Sequence, residues 1–232
     1  MKMWVRRFAL LSLCVTLAGC DFCGLAPIEA ETIGFVTVVP QGFVSSYILD
    51  VGGGKLVLID AGSNAEAKEI CDELEAKGKT LADVEAIVLT HGHSDHIAGL
   101  ETLTGVPVYA HSGVTEQLGE EVGAALAGEL VEGEPVTFGA RSFSIYHMPG
   151  HSPGSVSVLV DGMLFFGDNA ASTDQGDMRL VPENFSDDVT RNKEDLEGLV
   201  GKLEGASIDT MFFSHSGPLT GRSALDAYVA DL

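Results

Sequence analysis

The chain has 232 residues, 45% of them apolar and 20% charged, which suits one globular domain with a sizeable core and excludes a disordered protein. Asp and Glu number 34 against 13 Lys and Arg, a formal net charge of −21. A surface that acidic repels phosphate backbones and anionic head groups, which argues against a nucleic-acid partner and against membrane contact through the folded domain itself.

The first element is an address. Lys2, Arg6 and Arg7 precede a mostly apolar run from Phe8 to Leu17, too short to span a bilayer as a mature helix. This pattern predicts a secretory signal peptide over residues 1–19. It ends in Leu17-Ala18-Gly19-Cys20, which resembles the lipobox of bacterial lipoproteins. The resemblance implies cleavage before Cys20 and lipid, such as palmitate, on its sulfur and amino group. The protein would then be exported and lipid-anchored to a bacterial membrane, on the periplasmic or cell-surface side. Residues 20–32 show no period and read as a tether, leaving residues 33–232 as the folded domain. Cys14 leaves with the signal, so only Cys23 and Cys71 remain to pair. Cys71 falls on the apolar side of a predicted helix, which favours a buried thiol over a bridge.

Strands are predicted at Gly34–Val39, Ser46–Val51 and Lys55–Asp60, with Gly52-Gly53-Gly54 turning between the last two. Ser63-Asn64-Ala65-Glu66 reads as a capping box opening a helix with Ala67, Ile70, Cys71 and Leu74 inward, ending near Gly78. A strand at Val84–Thr90 leads into a loop of histidines and a short helical stretch. Another strand at Val106–Ala110 precedes a helix over Glu116–Leu130. The second half repeats this order, with strands at Arg141–Met148, Ser155–Val160 and Met163–Gly167 and a hairpin turn at Asp161-Gly162. A polar loop from Asn169 to about Asp188 precedes a helix carrying Leu196, Leu199, Val200 and Leu203. Thr210–Ser214 is the last predicted strand and Ala224–Leu232 a final helix. Strands in runs followed by helices, twice over, point to two packed sheets with helices outside.

His91-Gly92-His93-Ser94-Asp95-His96 is the strongest chemical signal. Four of its six residues can bind a metal, and they follow directly on a strand. Spacing i, i+2 keeps His91 and His93 on one side of extended backbone, while Asp95 and His96 come from the start of a helix. Such divergent directions can serve two nearby metals. Single candidates also end other strands: Asp60, His151 in a Gly/Pro-rigid turn, Asp168 after Phe165-Phe166-Gly167, and His215 in Ser214-His215-Ser216-Gly217-Pro218. His111 and His147 fit no motif and read as structural or surface residues.

Taken in this order, these motifs resemble the metallo-β-lactamase fold superfamily over about residues 33–220. The resemblance implies an α/β fold, an αββα sandwich of two mixed sheets with the site on one edge. It implies one metal held by His91, His93 and His151, a second by Asp95, His96 and His215, and Asp168 bridging them. Asp60 would orient the surrounding loop or a ligand. The full set with a bridging Asp is glyoxalase II-like, but only 17 residues follow His215, so the C-terminal helical domain of that group is not expected here. Arg179 is the lone cation between Arg141 and Arg191 and a candidate contact for an anionic small-molecule substrate.

Imidazoles and carboxylates suit two divalent metals, zinc first, with iron or manganese as alternatives. A metal-bridging hydroxide would then cleave an ester, thioester, lactone or related acyl bond, with Asp95 orienting it and moving its proton. Two other readings remain open from sequence. One is a mononuclear iron enzyme similar to persulfide dioxygenases, using His91, His151 and Asp168. The other is a non-enzymatic, surface-anchored binding protein on the same fold.

Overall fold

A computed structural model of the chain describes residues 23–115, 118 and 126–232. The predicted signal peptide, Cys20 and most of the helix predicted at 116–130 lie outside these residues.

Strands β1 (Thr32–Ile33), β2 (Val36–Gln41), β3 (Val44–Gly52), β4 (Lys55–Ile59), β5 (Val84–Val88), β6 (Val108–Ala110) and β7 (Gly128–Glu129) lie side by side in chain order in one sheet. The first four are antiparallel, and β4 to β7 run parallel. Eight more strands follow: β8 (Val136–Phe138), β9 (Arg141–His147), β10 (Val156–Val160), β11 (Met163–Phe165), β12 (Ala171–Ser172), β13 (Met178–Arg179), β14 (Thr210–Phe213) and β15 (Ser216–Thr220). All but β12 and β13 form a second sheet in the order β15-β14-β11-β10-β9-β8. Among the described residues the α-helices are α1 (Lys68–Ala76), α2 (Ser94–Ile97), α3 (Val189–Lys202) and α4 (Ser223–Ala230).

Alternation along the strands builds three apolar layers. In β4, Val57 and Ile59 point between the sheets, where they meet Val36, Leu49, Phe143, Val158, Phe165 and Phe212. Leu56 and Leu58 point the other way, onto Ile70 and Leu74 of α1. In β14, Phe212 joins the inter-sheet core while Met211 and Phe213 pack on Leu196 and Leu199 of α3. Strands buried on both faces read as continuous apolar runs, which is why Leu56–Ile59 and Met211–Phe213 show no polar alternation. Each such side chain contributes on the order of 1.5–3 kcal/mol when fully buried. The product is the expected αββα sandwich of two mixed sheets.

Four expectations are corrected. The Ser63–Glu66 capping box does not form. Asn64 accepts from the Glu66 amide, Ala67 takes a left-handed φ of 46°, and α1 starts uncapped at Lys68. The predicted helix does not reach Leu130, because Gly128 and Glu129 pair with β6. Strand β15 was not foreseen, since Gly217 and Pro218 are poor strand formers; it lies at the edge of its sheet, where Pro is tolerated. The segment read as a tether is docked from Leu25 onward. Leu25 bridges to Thr173, Ala26 donates to the Ser172 carbonyl, and Ile28 packs on the inter-sheet core. No disulfide joins Cys23 to Cys71, and Cys71 is only partly buried against the α1 layer. The Asp161-Gly162 turn forms as expected, with φ of 44° and 84°.

Candidate metal centre

Every predicted donor sits just past a strand on one edge of the sandwich. His91 follows β5, His93 precedes α2, and Asp95 and His96 lie within α2. His151 lies between β9 and β10, Asp168 beyond β11, and His215 between β14 and β15. Two groups of donor atoms result, each within 4.8 Å: His91, His93, His151 and Asp168, and Asp95, His96 and His215. His93 Nδ1 lies 3.1 Å from both His91 Nε2 and His151 Nε2. Asp168 stands between the groups. Its Oδ2 is 3.8 Å from His91 Nε2, 3.7 Å from His151 Nε2 and 3.0 Å from His215 Nε2, and its Oδ1 is 3.3 Å from His96 Nε2. Asp95 Oδ2 is 3.3 Å from His215 Nε2 and 3.7 Å from His96 Nε2.

Contacts behind the rings aim three of them inward. His96 Nδ1–H donates to Asp60 Oδ2 at 2.8 Å, His215 Nδ1–H donates to the Phe43 carbonyl at 2.8 Å, and His91 Nδ1 meets Thr90 Oγ1 at 3.1 Å. Each leaves Nε2 facing the centre, the arrangement that fixes ring orientation in metal-ligating histidines. Asp60 also accepts from the Thr90 amide at 2.7 Å and the Thr90 hydroxyl at 2.8 Å. It holds a left-handed φ of 60°, a conformation Asp tolerates better than most residues. Asp60 thus ties the His96 ring to the Thr90 segment that leads into the histidine loop.

The donor set fits divalent metals. His96 Nε2 and Asp168 Oδ1 are buried and lack a hydrogen-bond partner. Convergence of ring nitrogens at 3.1 Å sets lone pair against lone pair unless a cation or proton lies between them. Electrostatics say the same. Burial and the neighbouring His96 push the His91 imidazole well below its usual range, and burial pushes His151 down to about 4. Burial opposes a charge on His215 too, but Asp168 and Asp95 outweigh it and raise it to about 10. Asp168 is buried, yet His96, His215 and His91 hold its carboxyl well below the carboxylate range. His91, His151 and Asp168 are thus held in the forms metals require, neutral imidazole and ionised carboxylate. At His96, by contrast, burial is outweighed by Asp168 and Asp60, which raise it as Asp168 raises His215, so that a bound cation would take the place of a proton at these two rings.

A cavity of about 530 Å³ opens on this centre, lined by His93, Asp95, His151, Asp168 and His215 and by Phe43 and the 181–187 loop. Arg179 pairs with Ala171 in the β12–β13 ribbon and is not among the lining residues, so the expected substrate contact is not part of this cavity. His111 and His147 stack on each other with ring centroids 3.9 Å apart, outside the donor groups, as expected of structural residues.

Sequence reasoning missed the residues that hold the ligand loops. The start of α3 grips two of them. Asp195 accepts from the Gly150 amide at 2.9 Å, the Asp188 amide donates to the Gly150 carbonyl, and Asn192 Nδ2 donates to the Asn169 carbonyl at 3.2 Å. The one available sign was Asp195 and Asn192 sharing the helical face of Leu196 and Leu199, where both are buried. Phe43 was missed as well. An apolar ring after Gly42 at a hairpin tip was its only signal.

Comparison with known proteins agrees with this geometry. The metallo-β-lactamase superfamily model matches residues 39–215. The hydroxyacylglutathione hydrolase of Vibrio campbellii is 32% identical over 114 residues, 49% of this chain and 42% of that protein. The hydroxyacylglutathione hydrolase of Bdellovibrio bacteriovorus is 36% identical over 134 residues, 56% of this chain and 48% of that protein. The matches thus span about half the length of these relatives. The metallo-β-lactamase from Pontibacter korlensis superposes with a TM-score of 0.71 at 19% identity, covering 88% of this chain and 98% of that one, a likeness of fold. The chain belongs to the metallo-β-lactamase superfamily.

Proposed function

We propose that this protein is a dinuclear metal-dependent hydrolase of ester, thioester, lactone or related acyl bonds. One observation carries the reading: Asp168 places its two oxygens between a three-histidine group and an Asp95-His96-His215 group. His91, His93 and His151 would hold one metal, Asp95, His96 and His215 the other, and Asp168 both. Zinc suits this imidazole and carboxylate set best. When bound, such a pair polarises an acyl carbonyl and lowers the pKa of water toward neutrality.

The chain's own residues do the rest. Asp95 lines the cavity, and its Oδ2 accepts the proton of the attacking water as oxygen adds to the acyl carbon. The same oxygen returns that proton to the departing oxygen, sulfur or nitrogen as the acyl bond breaks. Asp60, Thr90 and the Phe43 carbonyl hold the rings still while charge moves. A mononuclear iron site of His91, His151 and Asp168 would leave Asp95, His96 and His215 converging on the centre without a role. The lipobox-like sequence adds export and lipid anchoring at Cys20 to this reading. Metal analysis of protein purified without chelators, followed by hydrolysis assays on generic esters, thioesters and lactones, tests it. Two zinc per chain with turnover is expected. A single iron with full activity overturns it.

A further inference from the structure

Resting on the acyl-hydrolase reading above, we propose that the substrate is uncharged and carries an apolar acyl chain, seated along Phe43 and Phe185 at the mouth of the metal centre. Three large apolar side chains stand exposed among the described residues: Phe43 at 58%, Phe185 at 43% and Leu232 at 47%. Two of these three line this cavity. Val181 and Pro182 extend the same apolar wall. Exposed aromatics gathered at a concave site mark a surface suited to an apolar ligand, whereas scattered single ones would mean nothing. Phe43 is also held in place. Its carbonyl accepts from His215 at 2.8 Å, and its ring stacks on the His215 ring at 5.7 Å with an interplanar angle of 5°.

Charge completes the argument. Among the described residues no lysine or arginine lines the cavity, and beyond the metal donors the polar lining includes Asn184 and Asp187. A carboxylate seated beside Phe43 and Phe185 would meet Asp187 and no lysine or arginine among the described lining residues, on a chain of net charge −21. The metals of that reading would be held by the buried His91, His96, His151 and Asp168 with the half-buried His93, Asp95 and His215, whereas Asn184 and Asp187 are exposed. Glutathione thioesters carry two carboxylates, so this rim fits them poorly even though the curated relatives act in that class by name.

The test uses the full chain loaded with zinc and one bond type throughout. Acetyl to octanoyl thioesters are compared on N-acetylcysteamine, an uncharged thiol, and on glutathione. On the uncharged series kcat/KM should rise roughly two- to fourfold per added methylene. At each length the uncharged thioester should be preferred by at least about tenfold. Phe185→Ala should flatten the chain-length slope, and Asn184→Lys should narrow the preference by supplying a cation. Calorimetry gives a readout independent of turnover: 2-nonanone, the uncharged ketone that keeps the octanoyl chain and has no bond to hydrolyse, should bind wild type and bind Phe185→Ala at least about tenfold more weakly. No chain-length dependence, or a preference for the glutathione series, overturns this proposal and leaves the acyl-hydrolase reading intact. Failure to turn over any ester, thioester or lactone with two metals bound overturns that reading and this proposal with it.

Discussion

Asp60→Asn isolates the tautomer of one ring. Asp60 Oδ1 receives the Thr90 amide, while Oδ2 receives both the Thr90 hydroxyl and His96 Nδ1–H. Asparagine can keep the first bond with its carbonyl oxygen. Its NH2 then replaces Oδ2 and faces two donors. The Thr90 hydroxyl can rotate to accept. His96 can be satisfied only by moving its proton to Nε2, which presents a lone pair to the amide and removes the donor atom from the metal centre. One charge-assisted hydrogen bond is worth about 1.5–3 kcal/mol. That corresponds to roughly a 10- to 100-fold loss, the range seen when the partner behind a ligating histidine is removed. The larger loss should fall on the metal that His96 would hold, because Asp60 bonds that ring directly and reaches His91 only through the Thr90 hydroxyl, whose oxygen still accepts from His91 Nδ1–H after it rotates. Zinc titration against a competing chelator resolves the two affinities. Weakening of one site by this factor, with the other kept within a few-fold, is expected. Equal loss of both metals, or wild-type affinity at both, would refute the tautomer argument.

Asp95→Asn keeps volume and one ligand oxygen but loses the proton acceptor; it should fold, retain the metal of the three-histidine group and lose at least about 100-fold in kcat. Activity within a few-fold of wild type would remove Asp95 from the mechanism. Gly150→Ala places a Cβ 2.1 Å from the Asn192 backbone nitrogen, so α3 or the His151 loop must move. Thermal unfolding should show about 1–3 kcal/mol of destabilisation, and an unchanged melting temperature would show the clamp is looser than drawn. Cys20→Ala should release the protein from the membrane fraction or block its processing; a correctly processed variant that stays membrane-bound at full yield would end the lipid-anchor proposal.

The fold was legible where one physical signal dominated. Apolar runs such as Leu56–Ile59 and Leu164–Phe166 are long enough to bury both faces, and Asp161-Gly162 supplies the left-handed φ values a tight hairpin demands. It failed where two signals competed. Ser63 to Glu66 has the residues of a capping box, yet Asn64 closes its own turn first and sends Ala67 left-handed. Local side-chain bonds of this kind compete directly with helix initiation. Residues 25–32 lack a period because they bind by crossing from one sheet edge to the other, a docking no local pattern encodes.

The donors themselves were legible because no other role asks for histidine and aspartate at so many strand ends. Their supports were hidden because they use common residues at positions far away in sequence. Thr90 differs from any strand-end threonine only by its partner thirty residues earlier, and Asp195 from any helical aspartate only by its contact with Gly150. The asymmetry has a physical cause. A ligand must be a particular chemical type, whereas a support must only be at a particular place. His215 shows the two meeting: its identity is fixed by the metal centre, but its direction comes from the carbonyl of Phe43 across the sheet edge. The same residue whose backbone aims that ring offers its own side chain to the cavity, so one hairpin tip touches both the proposed substrate wall and a candidate metal donor. Movement of that tip on substrate binding would therefore reach the metal centre directly, through a single hydrogen bond.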